Sequence, residues 1–185
     1  MKTLLAALVV SLQVACVLGT AFWQEYQLAA APVVHLETRP VDPRDLLRGD
    51  YVILSYDISE VPLALFQPRA ADDPTPGGTA FVVLEKQGEF HRAVRASLDK
   101  PEAQPGQTII RGRVEHTWPQ WDAQGKRVTN TVIRLRYGLE RYYVREGTGN
   151  PRGKLTADVA VSRDGRPMLK QLYLDGRPYR EAMKP

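Results

Sequence analysis

The sequence predicts a mainly β domain, a small barrel or sandwich of about seven to eight short strands with short helices, behind one N-terminal hydrophobic helix. Three observations predict it. Residues 3–22 form an uncharged, largely apolar run. From Val33 onward, stretches that alternate apolar and polar residues recur, as half-buried strands do. Turn signals such as Pro74-Thr75-Pro76-Gly77-Gly78, Asp164-Gly165 and Asp175-Gly176 punctuate them. A chain of 185 residues, 43% hydrophobic and 25% charged, holds one globular core and a tail.

The apolar run comes first. Thr3–Phe22 contains no charge, and Gln13 is its only strongly polar member. Twenty helical residues at about 1.5 Å each reach about 30 Å, the thickness of a bilayer's hydrocarbon. Lys2 precedes the run, Phe22, Trp23 and Tyr26 lie where interfacial aromatics stand, and no Lys or Arg appears again before Arg39. The expectation is a single-pass anchor over residues 1–26, in the cell membrane, with a β-rich domain over 27–185 on the extracytoplasmic (periplasmic) side. Two rival readings stand beside it. Gly19-Thr20-Ala21 fits a cleavage site, which would make the run a signal peptide. Cys16 is a candidate for lipidation, though Gln13 stands where a lipoprotein signal wants Leu. All three export the domain.

The best-marked local structure is Asp42–Tyr56. Asp42 suits an N-cap, Pro43 a first helical position, and Asp45 answers the cap three residues later. Leu46 and Leu47 anchor the turn, and Gly49 suits the left-handed residue that ends it. A strand follows. Val52, Leu54, Tyr56 and Ile58 fall on one face and Tyr51, Ile53, Ser55 and Asp57 on the other. Apolar residues on both faces predict a strand inside a sheet rather than at its edge.

Gly49-Asp50-Tyr51, Leu54 and Tyr56 match the signature G-D-Y-x-x-L-x-Y without a gap, preceded by Pro40-Val41-Asp42-Pro43-Arg44. On these residues the chain resembles the bacterial GDYXXLXY family. Tyr137-Gly138-Leu139-Glu140-Arg141-Tyr142-Tyr143-Val144, Glu146-Gly147 and the closing Asp164-Gly165 and Leu174-Asp175-Gly176 turns are also similar to it. The resemblance implies a membrane-anchored protein in the company of another membrane protein, and it names no reaction. The motif residues Asp42, Pro43, Arg44, Gly49, Asp50, Tyr51, Leu54 and Tyr56 are read as determinants of the fold.

The remaining elements follow in order. The anchor helix continues through Gln24 and breaks at Pro32, and Val33–Glu37 is a short strand. Val61–Phe66 reads as a short helix and Pro68–Gly78 as a surface loop. Thr79–Lys86 and His91–Leu98 form a hairpin about Gly88, and Thr108–Trp118 alternates, with Ile110, Gly112, Val114 and His116 on one side. Asp122–Lys126 turns the chain into Val128–Tyr137, the longest alternating run. Tyr137–Val144 fits a short helix and a strand equally well. Leu155–Ser162 and Met168–Leu174 make a hairpin with Asp164-Gly165 as a two-residue turn.

Chemistry is sparse in this pattern. His35, His91 and His116 are isolated in sequence, the single cysteine excludes a cysteine-based site, and neither metal nor cofactor is expected. Asp42, Asp45, Asp50 and Asp57 lack the spacing of a calcium loop, and Gly147-x-Gly149 lacks the third glycine of a phosphate cradle. The net charge of +4 is spread singly among acidic residues, which speaks against a nucleic-acid partner. An anchor followed by a Gly-Asp turn into a barrel strand is faintly similar to signal peptidases. The position of their nucleophilic serine is Val41 here, and Lys86 beside the Gln87-Gly88 turn is too wet for a general base. Ser55 is a small strand residue before it is a nucleophile. Trp118, Trp121, Arg141, Tyr142, Tyr143 and Glu146 form the candidate binding surface, since Arg and aromatic side chains together suit recognition. The functional expectation is therefore a membrane-tethered binding or assembly module without a catalytic residue. A hydrolase on a signal-peptidase-like barrel is the runner-up.

Overall fold

Most of the alternating stretches become strands in the computed structural model, which describes residues 2–41, 51–67, 74–118, 132–143 and 153–182, without the side chains of residues 2–7, 24, 27, 28, 39–41, 51, 52, 117, 118 and 181. The capped turn expected over Asp42–Gly49 lies outside the described residues, as does the Asp122–Lys126 turn. The chain divides into two compact units, Met1–Ala31 and Pro32–Pro185.

The first unit is one helix, α1 (Lys2–Ala30), ending just before Pro32. Its large apolar side chains Leu8, Val10, Leu12, Val17, Leu18 and Phe22 are exposed, with Trp23 and Tyr26 after them. Among the described residues no helix is long and apolar enough to cross a membrane. The apolar run also includes residues 3–7, whose side chains are outside that description.

The second unit is mainly β. Its strands are β1 (Val33–Val41), β2 (Tyr51–Tyr56), β3 (Glu60–Pro62), β4 (Thr79–Gln87), β5 (Phe90–Ser97), β6 (Gln107–Trp118), β7 (Val132–Arg136), β8 (Arg141–Tyr143), β9 (Leu155–Val161), β10 (Pro167–Leu174) and β11 (Arg177–Pro178). A single helical turn, α2 (Tyr179–Ala182), follows. They pair antiparallel in two sheets, a six-stranded one ordered β11-β10-β9-β1-β2-β8 and a five-stranded one ordered β3-β7-β6-β4-β5. Both line one hydrophobic cluster, to which Val34, Leu36, Leu54, Tyr56 and Val159 come from the first sheet and Val82, Leu84, Ile110, Ile133 and Leu135 from the second.

Period-two alternation explains the sidedness. On β1, Val34, Leu36 and Thr38 are buried while His35 and Glu37 are half-buried on the other face. β9 departs from this pattern. Six of its seven residues are buried and only Asp158 is half-buried, as suits a strand held between β1 and β10. The six-stranded sheet is curled. Tyr142 of β8 stands edge-on to Tyr179 of α2, ring centroids 5.4 Å apart at 76°, so the curl brings β8 to the helical turn that follows β11.

Several expectations are corrected. Among the described residues eleven strands are present rather than seven or eight, because short segments such as Glu60–Pro62 and Arg177–Pro178 pair without any alternation long enough to read. The helix expected over Val61–Phe66 is instead β3 followed by a 3-10 turn, Leu63–Leu65. The Asp164-Gly165 connection is a three-residue loop. The Ser162 N–H donates to the Arg166 carbonyl at 2.9 Å, and Gly165 takes the left-handed position (φ 84) that closes such loops. The two-residue hairpin is Asp175-Gly176, with φ of 49 and 77. Of the ambiguous Tyr137–Val144 stretch, the described residues 137–143 are a turn leading into β8.

Gly112 on β6 is closely packed against its neighbours. A Cβ there would lie 2.9 Å from Cε1 and 3.2 Å from Cδ1 of Tyr137, and 3.3 Å from Cβ of Leu135. Gly112→Ala is therefore expected to destabilise by ~1–3 kcal/mol through overpacking. Chemical denaturation of the purified variant checks this, and an unchanged midpoint would contradict the packing described.

Candidate functional site

The described motif residues turn inward. Leu54 and Tyr56 share the buried face of β2, and the Tyr56 hydroxyl donates to the Leu139 carbonyl at 3.0 Å. Across from it, the Tyr137 hydroxyl donates to the Ile58 carbonyl at 2.7 Å. The Leu54 N–H donates to the Glu140 carbonyl at 2.8 Å. The Glu140 carboxylate then accepts the N–H groups of Tyr137 and Gly138 at 2.5 and 2.9 Å, fixing a turn that Gly138 makes with φ 84. The signature strand and the Tyr137–Tyr143 stretch, distant in sequence, are thus one bonded unit, continued as the Tyr51↔Tyr143, Val52↔Tyr142 and Ile53↔Arg141 register. Burial first, then the Glu140 carboxylate, pushes both phenols well above their ordinary value, so neither gives up its proton near neutrality.

The candidate binding surface is divided. Arg141 and Tyr143 are exposed on β8, Tyr143 to 77%, whereas Tyr142 packs on the core against Tyr179. Trp118 ends β6 in the other sheet, its side chain outside the description, and Trp121 and Glu146 lie outside it entirely. Of the signature, Asp42, Pro43, Arg44, Gly49 and Asp50 also lie outside the described residues, and Tyr51 is known by its backbone alone. Lys86 is exposed. Ser55 is half-buried opposite Arg39 on β1, and no hydrogen bond to its side chain is present among the described residues.

The polar centre that the sequence reading missed lies on the outer face of the six-stranded sheet. His35 and Asp158 are direct register partners on β1 and β9. The His35 Nδ1 bonds to Asp158 Oδ1 at 2.6 Å, and the Tyr173 hydroxyl donates to Oδ2 at 2.9 Å. That bond, then burial, holds the Tyr173 phenol above its ordinary value. The ring of Phe90 stacks on His35, centroids 5.2 Å apart at 11°, and the Lys154 ammonium stands 4.5 Å from the centre of Phe90 and 3.5 Å from Glu37. His91 comes to the same place, its Nδ1 accepting the backbone N–H of His35 at 3.0 Å. Arg92 completes the group, bonded to Asp57 and, at 2.9 Å, to Glu37.

His35 and His91 are therefore not isolated, contrary to the sequence reading, because β5 folds back onto β1. A signal was present. Asp158 is the one charge in the Leu155–Val161 run, and a half-buried carboxylate on an inner strand needs donors. Chemically, a carboxylate on Nδ1 orients an imidazole and leaves Nε2 free to accept a proton. Among the described residues, no hydrogen bond to Nε2 of His35 is present, no serine or cysteine is bonded to the ring, and no group of three or more His, Cys, Asp or Glu could hold a metal.

The two-sheet β body buries Leu54 and bonds the Tyr56 hydroxyl to the Leu139 carbonyl, so the signature residues whose side chains are described lie in its core. The family model described as GDYXXLXY protein matches residues 13–172, and the chain belongs to that family. Neither the curated proteins nor the solved structures contain a match.

Two substitutions separate bonding from packing at the motif. Tyr56→Phe removes one hydroxyl bond and is expected to cost ~0.5–1.5 kcal/mol. Leu54→Ala is expected to cost ~2–5 kcal/mol from lost contacts and the cavity left behind. Equilibrium unfolding of both variants tests the ranking, and a costlier Tyr56→Phe would reverse the account of the motif.

Proposed function

We propose that the chain is a membrane-tethered, extracytoplasmic β domain that acts as a binding or assembly module, with another membrane protein as its partner. One observation carries this reading. The hydroxyls of Tyr56 and Tyr137, one from each of the two stretches that resemble the family, are consumed by backbone carbonyls in the core. Residues used this way preserve a shape, and a preserved shape serves recognition. Tyr143, exposed on the last strand of the six-stranded order beside Arg141, supplies the aromatic and basic character that interfaces favour. The tether rests on the uncharged Thr3–Phe22 run, on Lys2 before it and on the exposed apolar side chains of α1. Two sheets lining one core favour the sandwich over the closed barrel.

A second reading has its own observation. The Asp158-oriented His35 suits proton transfer, as a hydrolase would need. It lacks a bonded nucleophile among the described residues, so the module remains the better account.

Crosslinking in membranes followed by capture of the full-length protein tests the module. A defined partner is expected with the wild type, and Arg141→Ala/Tyr143→Ala is expected to reduce its yield with the thermal midpoint retained. Complementation of a deletion phenotype separates the two readings. Ser55→Ala and His35→Gln are expected to complement, and failure of either as a stably folded protein would transfer the case to the enzyme. Mass spectrometry of the membrane-extracted protein should find Thr3–Phe22 still attached, and an N-terminus at Phe22 would replace the anchor with a cleaved signal.

A further inference from the structure

Three consecutive residues at the start of β5 grip the six-stranded sheet, each by different chemistry. Phe90 stacks on the His35 ring, His91 accepts the His35 N–H through Nδ1, and Arg92 pairs with Glu37 and Asp57. β5 is the last strand of one sheet and β1 an inner strand of the other. β2 pairs with β1 only from Thr38 onward, so at His35 the histidine side chain takes the place that a strand's carbonyl would fill. Stacking does not require a proton-free group, and Arg92 stays charged throughout the physiological range. The His91 bond differs, because a nitrogen that accepts an N–H must keep its lone pair.

We propose that this seam is an acid-sensitive catch between the two sheets, in which protonation of His91 expels the His35 N–H and loosens β1 from β5 while the stacking and ion pairs persist. The surroundings favour release. Lys86 is the register partner of His91 on β4, and His35 faces it from β1 with Asp158 behind. Glu37 of β1 and Asp57 of the Asp57–Ser59 turn are carboxylates along the seam, and Arg92 engages both. Glu89, in the exposed turn, precedes Phe90. The Leu63–Leu65 turn, which also packs on β5, brings no charge.

Burial first, with the Lys86 charge in the same sense, holds the His91 ring below its ordinary value of 6.5. A histidine lowered on folding contributes stability that is fully present above the unfolded value. That stability is lost as the pH falls through 6.5 toward the lower folded value, because the unfolded chain then binds the proton more readily. Mild acid therefore withdraws one grip of three.

Hydrogen exchange of the full-length protein in detergent micelles reads the catch directly. After correction for intrinsic exchange, protection of the peptide containing the His35 amide is expected to fall roughly tenfold between about pH 7.5 and about pH 5, while the β4–β6 peptides stay protected. In His91→Asn, whose side-chain carbonyl offers an acceptor that does not titrate, the same peptide should show no such fall. Lys86→Gln provides a separate handle that leaves the catch intact. Removing its charge is expected to move the acid midpoint to higher pH. Flat protection in the wild type, an undiminished acid loss in His91→Asn, or a midpoint unmoved in Lys86→Gln would each overturn the proposal.

Discussion

Two tyrosine hydroxyls, each bonded to a carbonyl beside the other, hold the centre of this fold. Tyr56 donates to Leu139 and Tyr137 donates to Ile58, so the strand that carries the signature and the turn before β8 cannot shift independently. The net worth of each bond is modest, ~0.5–1.5 kcal/mol. Much else is placed by this pair. The Tyr137 bond fixes Ile58 and with it the Asp57–Ser59 turn, which presents Asp57 to Arg92 on β5. Arg92 reaches on to Glu37, so the seam between the sheets inherits its alignment from the tyrosines.

The parts of the fold that read well from sequence are those where one face is wet. β4, β5, β6 and β10 alternate or follow clear turn signals, and they appear close to their expected bounds. β9 was legible as a strand and as the hairpin partner of β10, but nothing in its sequence reveals β1 as its other neighbour. β3 and β11 are too short for any periodicity, and their pairing comes from the strands they meet. On β6 the alternation breaks at a bulge between Val114 and His116, where the chain passes the edge of the core.

The candidate sites divide along the same line. That Leu54 and Tyr56 face the core follows from strand geometry and was legible. That each tyrosine finds its acceptor in the other's segment was not, because hydroxyl partners are tertiary facts. His35 and His91 stand far apart in sequence, and their meeting depends on β5 folding back beside β1, a relation set by two sheets together. Asp158 was the readable clue, a charge where the strand allows none without donors.

The strand order of the six-stranded sheet has a temporal side. β1 leaves the ribosome early, yet its longest pairing is with β9, and Tyr142 meets Tyr179 only when the last helical turn exists. The five-stranded sheet differs, since β4, β5 and β6 are neighbours in sequence and can pair as they emerge. Loop-closure entropy must be met before distant strands gain from pairing, so such topologies fold slowly. β1 thus waits, unpaired on the β9 side, through most of synthesis. A strand in that condition is a ready template for foreign strands, and shielding it until Leu155–Val161 arrives is a task the cell has to perform for this chain.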